Sequence, residues 1–119
     1  MSPRILVVDD QEDAREMLRE LLGLMGATVL LAASVAEALP LVDDAPDIVL
    51  TDIGMPDADG IELARYLKAH PNRARMRLVA MTGYSGSAVL DTLIAAGFDQ
   101  VLIKPLSSET LEQLIRDER

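Results

Sequence analysis

Asp9, Asp10, Asp52, Thr82 and Lys104 are the residues of this chain whose types could together do chemistry. Each stands at or just past the end of a short apolar run. Ile5-Leu6-Val7-Val8 leads into Asp9-Asp10, and Ile48-Val49-Leu50-Thr51 leads into Asp52. Leu78-Val79-Ala80-Met81 leads into Thr82, and Val101-Leu102-Ile103 leads into Lys104-Pro105. If the runs are parallel strands of one sheet, the five side chains collect at one edge. Carboxylates gathered there repel one another and raise at least one pKa unless a cation neutralises them. A hard divalent ion with oxygen ligands is the simple remedy, and Mg²⁺ favours one or two carboxylates, several waters and a phosphate oxygen. The loop after Asp52 can add a main-chain carbonyl, for which Gly54 is well placed. A carboxylate can attack phosphorus and form an aspartyl phosphate. Lys104 supplies a mobile point charge for the transferred group, and the Thr82 hydroxyl can donate to a phosphoryl oxygen.

Taken singly, none of these residues is informative. An Asp-Asp pair after a strand is common loop chemistry, Asp52 could be a turn or cap residue, Thr82-Gly83 is turn-like, and Lys104-Pro105 could be a solvated lysine before a helix. Their joint placement at four strand ends, in this order, favours the functional reading.

The elements that must position them alternate along the chain. Strand-like runs lie near residues 4–8, 27–32, 47–51, 77–81 and 99–103. Between the first two, Ala14, Met17, Leu18, Leu21, Leu22 and Met25 form one apolar helical stripe, with Gly26 as its stop. Ser34-Val35-Ala36-Glu37 reads as a capping box for the second helix. Pro40 lies within that helix, removes a donor and crowds the Ala36 carbonyl, which predicts a kink or a short helix. Asp59-Gly60-Ile61-Glu62 resembles the same capping device for the third helix, which ends by Pro71. The fourth runs from Gly86 to Ala96 with Gly97 as its stop. Ser107 or Ser108 caps the fifth, which buries Leu111, Leu114 and Ile115. Five such units with short loops predict one α/β domain over residues 1–119, its parallel sheet covered on both faces.

Composition excludes several functions. The net charge of −9 argues against a general basic surface for nucleic acid. Cysteine is absent, so thiol and disulfide chemistry cannot be invoked. No run is apolar for ~18 residues, which excludes a membrane-spanning helix of ordinary length, and the start lacks a signal-peptide pattern; a cytoplasmic location is the expectation. No phosphate-binding glycine loop follows a strand. His70, the only histidine, sits at the expected end of the third helix, where a cation is favourable, and reads as structural and not as a phosphohistidine. Arg73, Arg75 and Arg77 read as a solvated basic loop, with a docking patch as the alternative. The methionines read as core fillers.

The quoted segments, with Asp47 to Pro56, Asp59-Gly60, Met81-Thr82-Gly83 and Lys104-Pro105, make the chain resemble the CheY-like receiver domain of two-component response regulators along essentially its whole length. The resemblance implies a flavodoxin-like (βα)5 fold, a doubly wound parallel sheet of order 2-1-3-4-5. Asp9-Asp10 and Asp52 then flank the point where strand order reverses. It implies that Asp52 is the phosphoacceptor, taking its group from a phosphohistidine of a histidine kinase or histidine phosphotransfer protein. It implies Mg²⁺, for which Mn²⁺ could substitute, held by Asp10, Asp52 and the Gly54 carbonyl, with Asp9 acting through a water. Thr82 and Lys104 would report phosphorylation to the surface of the fourth helix, fifth strand and fifth helix, which would meet a downstream protein or a second copy of the chain. A cis Lys104-Pro105 bond is expected. Such domains usually carry Tyr or Phe three residues before the lysine; Val101 stands there instead, and Tyr84 is the candidate for part of that switching role. The pairing of Met81-Thr82-Gly83-Tyr84 with Ala96-Gly97-Phe98-Asp99 is similar to receivers of hybrid sensor kinases. The domain would catalyse only its own phosphorylation and dephosphorylation. Two alternatives are a receiver that docks or dimerises without phosphorylation, and a small phosphohydrolase resembling the haloacid dehalogenase superfamily. In the latter a second Asp follows the nucleophile by two residues, a spacing that Asp9-Asp10-Gln11 does not match.

Overall fold

A computed structural model describes residues 2–53, 60–83 and 86–116. Five short apolar runs form the strands β1 (Arg4–Val8), β2 (Thr28–Ala32), β3 (Ile48–Asp52), β4 (Arg77–Thr82) and β5 (Gln100–Ile103). They alternate with helices α1 (Glu12–Leu24), α2 (Val35–Leu41), α3 (Gly60–Lys68), α4 (Ser87–Ala96) and α5 (Ser108–Arg116). The strands form one parallel sheet in the order β2-β1-β3-β4-β5. This is the flavodoxin-like arrangement expected from the sequence.

A parallel sheet needs cover on both faces, and alternate side chains of each strand supply two cores. Leu6, Val8, Val49, Leu78 and Ala80 point to one side, where they meet Val35 and Ala38 of α2, Leu63 and Leu67 of α3 and Leu93 of α4. Ile5, Val7, Leu50, Val79 and Met81 point to the other, against Leu18 and Leu22 of α1 and Leu111 and Leu114 of α5. Leu22, Leu50, Leu67 and Leu111 are fully buried, so truncating any one to Ala costs about 2–5 kcal/mol.

Local chemistry sets the element ends. The Ser34 hydroxyl accepts the Glu37 N–H at 3.1 Å, and the Glu37 carboxylate reaches back to the Ala33 N–H at 2.7 Å. That second bond falls one residue before the cap. Pro40 is accommodated by brevity: α2 has only seven residues and passes into a 3-10 turn at Val42–Asp44. Gly26 and Gly97 stop α1 and α4 with φ of +96° and +114°, a region that costs residues with a Cβ. Ser107 caps α5 by accepting the Thr110 N–H at 3.1 Å.

Three sequence expectations need correction. Met17 is half exposed, because α1 turns its neighbours Leu18 and Leu22 to the sheet instead. His70 is structural, as expected, but lies beyond the end of α3 and acts as a pin instead of a helix-end cation. Its Nδ1 accepts the Asn72 N–H at 3.0 Å, which leaves Nε2 to donate to Asp43 Oδ1 at 2.9 Å. The arginines are not a solvated loop. Arg73 donates to the carbonyls of Met76 and Gly97 at 3.0 and 2.7 Å and pairs with Asp99 at 3.3 Å. Arg77 is buried and donates to the Leu114 carbonyl of α5; Arg75 alone of the three is exposed. The expected capping role of Asp59 lies outside the described residues.

Candidate functional site

The C-terminal ends of β1, β3, β4 and β5 form one edge, and the register aligns them. Val8 pairs with Thr51, Asp52 with Met81, and Thr82 with Ile103. Asp9 and Lys104 follow directly on their strands. The Asp9 N–H donates to the Ala32 carbonyl at 3.1 Å, and the Lys104 N–H donates to the Thr82 carbonyl at 2.7 Å. Main-chain bonds thus hold the residues that carry the functional groups.

Asp9, Asp10 and Asp52 each offer a carboxylate oxygen within 4.8 Å of the others. The Lys104 ammonium lies 3.2 Å from Asp52 Oδ1 and 4.0 Å from Asp9 Oδ2. Asp9 is almost fully buried and Asp10 is exposed. Burial pushes the Asp9 carboxyl above its ordinary pKa. The Gln11 N–H, donating to Asp9 Oδ1 at 3.0 Å, opposes that shift; Asp52 adds to it, Lys104 opposes it, and Asp10 adds to it. Ionising the group in place is therefore costly, and a cation between the carboxylates lowers that cost. The set of oxygen donors with a mixed burial fits a hard divalent ion that keeps part of its water shell.

Thr82 is buried at the end of β4. Val101 of β5 pairs with Ala80 of β4 and packs, partly buried, against the core under α3 and α4. The Lys104-Pro105 peptide is cis. Gly54 and Tyr84, the expected carbonyl donor and auxiliary switch residue, lie outside the described residues. Beside Asp9 a cleft of about 410 Å³ opens between α1 and the turn after β5, with Met17, Pro105 and Leu106 in its walls.

Three contributions were missed from the sequence. The Gln11 N–H holds Asp9, and the Arg15 Nη1 donates to the Asp9 carbonyl at 2.8 Å. Gly60 sits so close to β3 that a Cβ there would be 2.8 Å from the Asp52 carbonyl oxygen. The sequence signals were position for Gln11 and Arg15, which fall in the first turn or so after the acidic pair, and for Gly60 its place in the Asp59-Gly60 segment that carries the resemblance.

Comparison with known proteins agrees with this fold. The model of the response regulator receiver domain matches residues 5–116. Response regulator MprA of Mycobacterium ulcerans is 38% identical over 112 residues, covering 93% of this chain and 47% of that protein. Virulence sensor protein BvgS of Bordetella pertussis is 37% identical over 124 residues, covering 98% of this chain and 10% of that protein. The chain thus spans about half of one relative and a tenth of the other. Among solved structures, chemotaxis response regulator CheY4 of Vibrio cholerae superposes with a TM-score of 0.90 at 25% identity, covering 98% of both chains. A CheY-like receiver domain protein of Methanospirillum hungatei gives 0.84 at 31% identity, covering 98% of this chain and 92% of that one. With five strands in the same order and an acidic cluster with its lysine at the strand ends, the chain belongs to the response regulator receiver domain family.

Proposed function

We propose that the domain is a phosphoacceptor switch, with Asp52 taking a phosphoryl group from a phosphohistidine on a partner histidine kinase or phosphotransfer protein. The observation that carries this reading is the Lys104 ammonium 3.2 Å from Asp52 Oδ1, inside a group of three aspartates. An Asp52 carboxylate oxygen attacks phosphorus, the donor's P–N bond breaks, and the imidazole leaves with the electron pair and takes up a proton. The product is an acyl phosphate. Attack of water at phosphorus later restores the carboxylate and releases inorganic phosphate. Nothing else is turned over, so the domain is a switch and not an enzyme acting on a metabolite.

Asp9, Asp10 and Asp52, with the carbonyl of Gly54, would hold Mg²⁺ or, in its place, Mn²⁺. The ion supplies screening between the anionic nucleophile and the anionic phosphoryl group. Lys104 neutralises Asp52 before transfer and the phosphoryl oxygens after it. The Thr82 hydroxyl donates to the same oxygens, and its main chain is already tied to Lys104. Output leaves through α4, β5 and α5, where Ile94 and Ile103 are exposed for a downstream protein or a second copy of the domain. With Val101 on β5, that output proceeds without an aromatic flip on the strand; Tyr84 takes part of that role. No helix among the described residues is long and apolar enough to cross a membrane.

Acetyl phosphate and Mg²⁺ test the reading, with intact mass spectrometry of the wild type and Asp52→Asn side by side. The expected result is a gain of about 80 Da, one phosphoryl unit, that needs Mg²⁺ and vanishes in the variant. Beryllofluoride with Mg²⁺ covers the case of rapid hydrolysis. No adduct and no response to beryllofluoride would leave a docking domain.

A further inference from the structure

We infer that Arg15 is a positioning residue for the metal site, setting the aim of Asp10 through the peptide that joins it to Asp9. The inference rests on the proposed Mg²⁺ site and adds a residue to it.

Only three residues, Asp9 to Gln11, link β1 to α1. Asp9 is fixed at three points in that link. Its N–H donates to Ala32, its Oδ1 accepts from the Gln11 N–H, and its carbonyl accepts from Arg15 Nη1 at 2.8 Å. Asp10 is held differently. It is exposed, and among the described residues no hydrogen bond restrains its carboxylate. Its direction therefore follows from its main chain. The carbonyl of Asp9 and the N–H of Asp10 belong to one planar peptide, so the bond from Arg15 fixes the plane from which Asp10 departs.

The brace is itself anchored. Arg15 is half-buried, and its own N–H donates to the Gln11 carbonyl at 3.0 Å. Main chain and side chain of one residue therefore return to the two sides of the acidic pair. A guanidinium presents its donors in a rigid fork, which suits holding a carbonyl in one orientation. Groups that orient metal ligands without touching the ion typically change affinity 10–100-fold when removed.

Charge and position make opposite demands at this place. If Arg15 acted only as a nearby cation, its removal would tighten the binding of Mg²⁺. If it aims Asp10, its removal weakens that binding. The sign decides between them.

Mg²⁺ titration calorimetry on the wild type, Arg15→Met, Arg15→Lys and Asp10→Asn reads that sign, with thermal melts in EDTA alongside. For Arg15→Met the expected result is a dissociation constant raised about tenfold with the metal-free Tm within a few degrees of wild type. Arg15→Lys keeps a donor and a charge and should stay within about threefold. An unchanged or tighter constant in Arg15→Met overturns the inference. So does a weakening explained wholly by a lowered metal-free Tm. A wild type that takes up no Mg²⁺, like Asp10→Asn, overturns the metal reading beneath it.

Discussion

The Lys104 ammonium stands 3.2 Å from Asp52 Oδ1 and 4.0 Å from Asp9 Oδ2, so among the described residues it is the cation paired with two of the three clustered carboxylates. It occupies electrostatically what a divalent ion would also fill. Lys104→Met should therefore tighten Mg²⁺ binding while lowering the yield of phosphoryl adduct. Lys104 is about a third exposed, so the pair is screened and worth roughly 0.2–1 kcal/mol, or up to about fivefold in affinity. Titration calorimetry and adduct mass, measured on the same preparation, would show the two effects moving in opposite directions.

Asp9 should make metal-free stability depend on pH. Its folded pKa is raised, chiefly by burial. An ionised Asp9 thus costs stability at every pH above that raised value. The cost disappears as pH falls through it toward the ordinary carboxylate value of the unfolded chain. Asp9→Asn keeps the acceptor for the Gln11 N–H and removes the charge. In EDTA at neutral pH it should melt higher than wild type, and ~1 kcal/mol corresponds to about 4 °C for a domain of this size. The gap should close on acidification. An equal Tm for both proteins across the range would refute this account.

Gly60 should tolerate no side chain. A Cβ there would lie 2.8 Å from the Asp52 carbonyl oxygen and 3.0 Å from Ile53 Cδ1. The isoleucine tip can move, but the carbonyl belongs to β3. Gly60→Ala should lose about 1–3 kcal/mol in urea denaturation, as overpacked sites do. Because the displaced atom is in the main chain of Asp52, the rate of adduct formation should fall in the same variant.

Arg73 should matter for stability and not for the site. Its guanidinium joins the Met76 and Gly97 carbonyls to Asp99, whose Oδ2 also accepts the Leu78 N–H at 2.9 Å. Arg73→Ala leaves those acceptors without their charged donor and should cost about 1.5–3 kcal/mol. Mg²⁺ affinity, measured in native buffer, should remain that of the wild type.

Much of this architecture was legible in the residues. Strands announced themselves because a doubly covered sheet demands unbroken apolar runs, and Gly26, Gly97 and Ser34 marked element ends by chemistry that works locally. The acidic pair, Asp52, Thr82 and Lys104 could be placed together because each ends a strand or follows one within two residues. The misread residues depend on what lies across space. Nothing next to Arg73 in the sequence reveals the Gly97 carbonyl, and nothing near Arg77 reveals the end of α5. His70 looked like a helix-end cation because its neighbours in sequence are helical; its partners Asp43 and Asn72 come from two separate turns. Met17 followed the apolar period, yet periodicity does not say which edge of a broad stripe the sheet will cover.

The cluster draws its first member from residue 9 and its last from residue 104, held by strands that complete the sheet only when β5 joins β4. A ribosome-bound chain synthesised only as far as α4 already carries all three aspartates, but it has no lysine beside them and no fifth strand to tether Thr82. Such a nascent chain has no complete acceptor to offer. If the proposed switch holds, the domain can accept a phosphoryl group only after its fifth strand has joined the sheet, so acceptance would also report that the domain has folded.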